Sequence, residues 1–262
     1  MYRSLTADSF RQATGLPESY YVDGLLATGV WDLFADKQID LVESALTSLG
    51  HEIELTRLSG PSLGHGYEFQ AAGKRFWWVP VMGTAMMSQY VHCATLLGSQ
   101  KNLLFGTVGG LRNGMRAGDL VIPSASVGND NALMYQRNAV DKLFSPDEKL
   151  RLSLLSRIRN LELPESVQLW QGITNTCEVM FAETSDDVTQ WSAEGFLGVE
   201  MEAAMMFALS ASFNIPAAAV LSVADNLIED ESFFSENYED SRKLRMMVKQ
   251  LQYDVLLAEL LA

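Results

Sequence analysis

Three acidic residues stand out for where they fall in the chain. Glu200 and Glu202 lie in Gly198-Val199-Glu200-Met201-Glu202-Ala203-Ala204-Met205-Met206-Phe207-Ala208-Leu209, at the mouth of an otherwise apolar run, and Asp225 closes the apolar stretch AAAVLSVAD. An ionised carboxylate only accepts hydrogen bonds, whereas a buried carboxyl group can hold its proton and act as an acid. Each residue also has an ordinary explanation. Acids in the first turn of a helix favour its dipole, and an aspartate after a buried strand caps the turn. Taken together, three carboxyl groups at neighbouring element ends, beside near-continuous apolar sequence, point to a site.

Other constellations offer less. The stretch GTVGG (residues 106–110) has the spacing G-x-x-G-G, and it is followed by Gly114, Gly118 and the strand-like DLVIP rather than by a helix. A dinucleotide fingerprint needs a helix N-terminus at that point, so this stretch reads as a glycine loop at a strand end. Such a loop can still bring backbone N–H groups to an anion, and equally it can be a plain tight turn. No G-x-x-x-x-G-K phosphate loop and no G-x-S-x-G elbow occurs. His51, His65, His92, Cys93 and Cys177 lack metal-ligand spacing, so no metal site is expected, and no cofactor.

The elements that must position these residues alternate along the chain. DGLLATG (23–29) reads as a first buried strand. Ile39, Val42, Leu46 and Leu49 recur at helical spacing until Gly50. HEIELTRL, YEFQAA and KRFWWVPV read as strands, Thr84–Leu97 as a helix ended by Gly98, and residues 101–127 as strand, glycine loop, strand. Helix 146–160, strand VQLWQGITN, the helix of the opening motif, strand AAAVLSVAD and a long amphipathic helix from Ser235 to Ala262 complete the chain. This alternation predicts an α/β fold: a single domain with a mixed, mostly parallel sheet flanked by helices on both faces. Sites on such sheets lie at the carboxyl ends of the strands, where Gly106, Gly109, Gly110 and Asp225 fall.

Composition narrows the partners. The 262 residues carry a net charge of −14, which disfavours nucleic acid and anionic membrane and leaves any anionic substrate to a few placed cations. Two cysteines fit a reducing compartment, no apolar run approaches the roughly 20 residues of a membrane span, and MYRSLTADSFRQATG is no signal peptide. A cytoplasmic location is the expectation.

The stretch GVEMEAAMMFALSASFNIPAAAVLSVADN resembles a hallmark of the nucleoside phosphorylase superfamily, the purine nucleoside and uridine phosphorylase type with its related nucleosidases. The family pattern there is V-E-M-E-A, a helix, then a strand ending in V-S-D. GTVGGLRNGMRAGDLVIPSASV resembles the second signature, a glycine-rich stretch followed by G-D-[LV]-V-I-P, in the family's order and at about its separation. The resemblance runs from about Gly24 to the C-terminus, with residues 1–22 as an N-terminal extension, and implies one domain around a partly closed sheet. It implies that Glu202 accepts from the two ribose hydroxyls, that Met201 packs on the sugar and that Glu200 shapes the site. Asp225 would donate a proton to the purine N7 as the base leaves, which requires it to be protonated, a state that burial favours. Met180 or Phe181 would lie against the base, with core packing as the alternative for both. Gly106 and Thr107 would contact phosphate, and Arg57 resembles an arginine lent by a neighbouring subunit of a homo-oligomer (dimer, trimer or hexamer).

The sequence departs from the family at the phosphate site. LLATGVWD (25–32) lacks the P-G-D-P motif, Leu104 stands where an arginine is common, and GTAMM (83–87) replaces G-x-G-M-G. Arg112 and Arg116 lie near the glycine stretch, either as substitutes or as solvated charges. Three functions follow in order: a nucleoside phosphorylase cleaving a purine nucleoside with inorganic phosphate, a purine nucleosidase using water, and a silent nucleoside binder, against which Glu202 and Asp225 count.

Overall fold

Residues 4–29, 36–58, 63–64, 66–229 and 241–262 are described by the computed structural model of the chain. They form α1 (Ala7–Thr14), β1 (Gly24–Gly29), α2 (Asp36–Ser48), β2 (Thr56–Arg57), β3 (Tyr67–Ala71), β4 (Lys74–Val81), α3 (Gly83–Leu96), β5 (Asn102–Gly110) and β6 (Leu120–Val127). The second half continues with α4 (Asp130–Leu133), β7 (Leu143–Phe144), α5 (Glu148–Arg159), β8 (Leu169–Thr176), α6 (Ser185–Glu194), β9 (Gly198–Glu200), α7 (Ala203–Ser212), β10 (Ala217–Asn226) and α8 (Arg242–Leu261). Among the described residues no helix is long and apolar enough to cross a membrane.

Strict alternation in the central strands gives the sheet two apolar faces. Leu25, Ala27, Trp77, Val79, Leu104, Val108, Ala219 and Leu221 pack on one side with α3 and with all of α7 from Ala203 to Leu209. Leu26, Phe76, Trp78, Leu103, Phe105, Ala218 and Val220 pack on the other with Val42 and Leu46 of α2, Leu154 and Ile158 of α5, and Tyr253 and Leu256 of α8. A strand covered on both faces reads as a continuous apolar run, as β1, β4, β5 and β10 do. Those four form the parallel centre, in the order β4-β1-β5-β10.

Antiparallel pairs surround that centre. Beyond β4, the turn Ala72-Gly73 has positive φ at both residues (51° and 76°), the backbone of a two-residue hairpin, and returns the chain as the β3–β4 pair with β2 at the edge. On the other side β10 pairs β6 antiparallel, β6 pairs β8, β8 pairs β9, and β9 pairs β5 antiparallel. Because β5 also pairs β10, these five strands close a ring.

Several sequence expectations change. Residues 106–110 are strand: β5 runs through Gly110, and the turn is 111–119. Over residues 106–110 β5 pairs β10 and, at Gly109 and Gly110, also β9, so glycines there let neighbouring backbones close in, and they do not form an anion-cradling loop. HEIELTRL contributes only Thr56–Arg57 as strand. The opening motif starts as strand (β9) and becomes helix only at Ala203. Of the long C-terminal helix, α8 covers Arg242–Leu261, and residues 235–240 of that expectation lie outside the described residues, as do residues 30–32 of LLATGVWD. Residues 4–22 pack against the sheet: Phe10, Tyr20 and Val22 are buried, and Trp77 Nε1 donates to Tyr20 OH at 3.0 Å.

Candidate active site

The parallel strands end on one rim, and the chemistry-bearing residues gather there. Gly29 ends β1 beside Val81 of β4, Gly83 opens α3 just beyond, and β9 delivers Glu200, Met201 and Glu202 to the same place.

The two glutamates divide the work. Helix α7 is apolar on every side and buried at its N-terminus, so its first N–H groups need protein acceptors. Glu200 supplies them: Oε2 accepts from Glu202 N at 2.7 Å and from Ala203 N at 2.6 Å. Its Oε1 accepts from Ser126 Oγ at 3.1 Å and from Thr176 Oγ1, which itself accepts from Ala204 N at 3.0 Å. Burial raises the Glu200 carboxyl above the usual range, and these donors pull it back. With four donors from its own protein, Glu200 holds the frame of the site, which is the ordinary helix-start role weighed for both glutamates.

Glu202 is spared that task. Although it stands at the N-cap, its side chain makes no cap; Oε1 instead accepts from Gly83 N at 2.6 Å. Gly83 has φ +73°, a left-handed conformation that suits glycine and turns its N–H toward the carboxylate. Oε2 lies over Gly29, where a Cβ would come within 2.8 Å of it. Burial, then the neighbouring Glu200 charge, pushes the Glu202 carboxyl up to about 8. Met201 is half-buried, with its Cε 3.9 Å from the place of a Cβ on Gly83.

Asp225 sits opposite Gly109 on the inner strands, immediately after a register shift between Val223 and Asp225. A bulge at this point re-aims the side chain, leaving Asp225 half-buried between buried Val223 and Asn226. Asn226 Nδ2 donates to the carbonyls of Arg112 (3.0 Å) and Met115 (2.9 Å), which pins turn 111–119 beside the aspartate.

Met180 and Phe181 lie on a single 3-10 turn after β8, and neither belongs to a core cluster. Phe181 is 75% exposed, so core packing is not its role. The residue the sequence reading missed is Glu183, at the end of that turn. Its Oε1 accepts from Cys177 Sγ at 2.8 Å, and it is held above the usual carboxylate range by burial. Cys177 N in turn donates to Glu200 O at 2.7 Å. No periodicity or motif marks Glu183; only the turn brings it to the rim.

The phosphate residues are not all brought together. Thr107 is exposed in an otherwise buried strand, opposite Ser222, and Gly106 O accepts from Gln252 Nε2 at 3.1 Å. Leu104 is fully buried in the core. Arg57 lies on edge strand β2, its Nη2 donating to Tyr67 OH at 3.1 Å. The order β2-β3-β4-β1-β5 separates it from Thr107 by four strand spacings, about 19 Å, so the two do not meet within one chain. Arg112 is also turned elsewhere, its Nη1 donating to Ser192 O at 3.1 Å.

A sequence model of the phosphorylase superfamily matches residues 44–252. The DeoD-type purine nucleoside phosphorylase of Thermoanaerobacter sp. (strain X514) is 30% identical over 191 residues, covering 71% of this chain and 78% of that protein. The DeoD-type enzyme of Clostridium perfringens (strain SM101 / Type A) is 30% identical over 177 residues, 65% of this chain and 72% of that one. Among solved structures, uridine phosphorylase from Vibrio fischeri ES114 superposes with a TM-score of 0.73 at 15% identity, covering 94% of this chain and 93% of that one. A futalosine hydrolase mutant of Helicobacter pylori strain 26695 gives 0.66 at 18% identity, covering 91% and 98%. At these identities the two structures speak for the fold alone.

Proposed function

The chain belongs to the phosphorylase superfamily, as an enzyme of nucleoside phosphorylase and nucleosidase type, and from that membership we propose that it cleaves the N-glycosidic bond of a purine nucleoside with inorganic phosphate as acceptor. The observation that carries the reading is Glu202, which the fold exempts from capping α7 and holds by one oxygen on Gly83 N–H at 2.6 Å. A carboxylate so placed suits a vicinal diol, because two hydroxyls can donate to one acceptor group in a dry pocket. Met201 would cover the apolar face of the sugar. Met180 and Phe181 would flank the base.

Bond cleavage leaves positive charge on the sugar and negative charge on the departing base. A proton from Asp225 to the purine N7 stabilises that base in the transition state more than in the ground state. Thr107, the exposed residue of β5 next to Gly106, would contact phosphate from one side through its hydroxyl. The cation would then be Arg57 from a second copy of the chain, since within a chain it lies about 19 Å away by strand spacing. The site would therefore need a homo-oligomer, and the purine-specific names of the relatives support the base assignment.

Hydrolysis is the second reading, and Leu104 favours it. A buried leucine occupies the position where a guanidinium fork is common in phosphorylases, and a fork is the natural partner of phosphate. One experiment separates the two. Purine nucleosides are incubated while phosphate is titrated, with free base, ribose and ribose 1-phosphate all followed. The proposal expects ribose 1-phosphate in proportion to base; free ribose released at a rate indifferent to phosphate would make the enzyme a nucleosidase.

A further inference from the structure

Gly118 and Asp119 head the stretch GDLVIP, where turn 111–119 gives way to β6. The proposed reaction gives neither of them a task, yet Asp119 is only 1% exposed and its carboxyl group is engaged on both oxygens. Oδ1 accepts from Gln168 N at 2.8 Å. Oδ2 accepts from Arg116 N at 3.0 Å and from Trp170 Nε1 at 2.9 Å. One of these donors belongs to the turn and two to the start of β8, so the side chain fastens the turn to that strand. A carboxylate suits the place because it accepts on both oxygens, whereas an amide of the same size would set an N–H against an N–H.

The backbone of the same two residues reaches β10. Val223 N donates to Asp119 O at 2.8 Å, and Gly118 N donates to Val223 O at 2.8 Å. These bonds carry on where the β6–β10 ladder stops at Leu120 and Ser222, and they fall at the residue where the register of β10 against β5 begins to shift. On the far side of the bulge, Asn226 Nδ2 donates to Arg112 O and Met115 O of the same turn. Asp225 is therefore bracketed: the residues at 223 and 226 are both tied to turn 111–119. Its own backbone has little room, since a Cβ on Gly110 would come within 3.2 Å of Asp225 O. Any movement of the turn must pass into the bulge, and a bulge is what sets the direction of the side chain it carries.

We propose that Asp119 is a positioning residue for Asp225: by holding turn 111–119 to β8 it fixes the bulge of β10 and so the direction in which the Asp225 carboxyl group meets the departing base. The inference rests on the reading of Asp225 as the N7 donor. It gives Asp119 no contact with substrate and no share in the proton transfer itself.

The test is a cycle of four full-length proteins: wild type, Asp119→Asn, Asp225→Asn and the double variant. For each, kcat and KM for a purine nucleoside are measured under the acceptor condition that supports turnover. Asp119→Asn keeps the size of the side chain and turns an amide N–H on at least one of its three donors. It should lower kcat by about 10–100-fold, the cost of misplacing a reacting group by about an ångström, and leave KM little changed. In the Asp225→Asn background the same change should cost nothing further, because the group it misplaces is already inert. Unchanged kcat in Asp119→Asn would overturn the inference. So would an equal loss in both backgrounds, or a fall in kcat matched by a rise in KM, since a general loosening of the fold does either. If Asp119→Asn does not fold, Trp170→Phe removes one donor and keeps a ring in place. A drop in its kcat that vanishes in the Asp225→Asn background supports the inference, and a drop that persists there, or none at all, overturns it. Full turnover by Asp225→Asn alone would instead remove the acid from the reaction, and the inference with it.

Discussion

The backbone N–H of Gly83 donates to Glu202 Oε1 at 2.6 Å, joining residues 119 apart in sequence at the rim where β4 ends and α7 begins. The contact fixes the carboxyl group without consuming both its oxygens, and it is available because Glu200 and Thr176 satisfy the N-terminus of α7. Local helix electrostatics and the candidate sugar grip are thus assigned to different side chains two residues apart.

Nucleoside affinity should depend on the proton of Glu202. In the empty site its carboxyl is raised to about 8, so it is largely protonated at neutral pH. Two sugar hydroxyls donating to it favour the ionised form, so its value falls on binding, and between the two values binding releases a proton. Affinity is therefore expected to rise with pH, by up to about tenfold per unit, until about pH 8, and to level above it. Calorimetric titration of an Asp225→Asn background from pH 6 to 9, where turnover is slowed, reads this directly. Adding Glu202→Gln should flatten the profile, and a profile already flat would separate this proton from sugar binding.

Asp225→Asn keeps the shape of the side chain and removes its acidity. Turnover of purine nucleosides should fall by roughly 10²–10⁴-fold while their binding changes little. Steady-state rates beside a binding isotherm check it. Near-wild-type turnover in a folded variant would take Asp225 out of the mechanism.

Arg57→Ala should raise the apparent Michaelis constant for phosphate by roughly one to two decades, the worth of a charge-assisted contact of about 1.5–3 kcal/mol, and leave nucleoside binding unchanged. Mixing Arg57→Ala with an Asp225→Asn variant tests the placement. If the arginine serves a neighbouring copy, mixed oligomers regain sites in which intact Asp225 meets intact Arg57. No regain of activity on mixing would count against a lent arginine.

Thr176→Val removes a hydroxyl of nearly the same volume from beneath α7. Ala204 N–H then loses its acceptor and Glu200 one donor, both in buried surroundings. The fold should lose about 1–3 kcal/mol, read as a lower urea midpoint at unchanged m-value. An unshifted midpoint would mean that water or a neighbouring group takes over the orphaned N–H.

Much of this architecture was legible in the residues. The runs LLA, FWWVPV, LLF and AAAVL are apolar without a break, as strands buried on both faces are, and together they lie in the parallel centre of the sheet. Gly50 and Gly98, both at positive φ, end their helices where the spacing stops. The GTVGG stretch misled because glycine marks both tight turns and strands crowded by neighbours. Its crowding comes from β9 and β10, which are remote in sequence.

What the sequence determined by itself was the set of chemical parts: carboxyl groups at the ends of apolar elements, in an order that resembles one superfamily, with no arginine at residue 104. Residue type and local spacing suffice for that, because they set propensity and burial one segment at a time. Tertiary structure alone decided which carboxyl does what. Glu200 and Glu202 are the same amino acid two positions apart, and only the approach of Thr176 and Ser126 from other strands and of Gly83 from the start of α3 makes one a helix anchor and leaves the other to the cleft. Strand order likewise put Arg57 at the far edge of the sheet. A hydrogen bond or a Coulomb field depends on distance in space, and pairing between remote strands is what sets those distances.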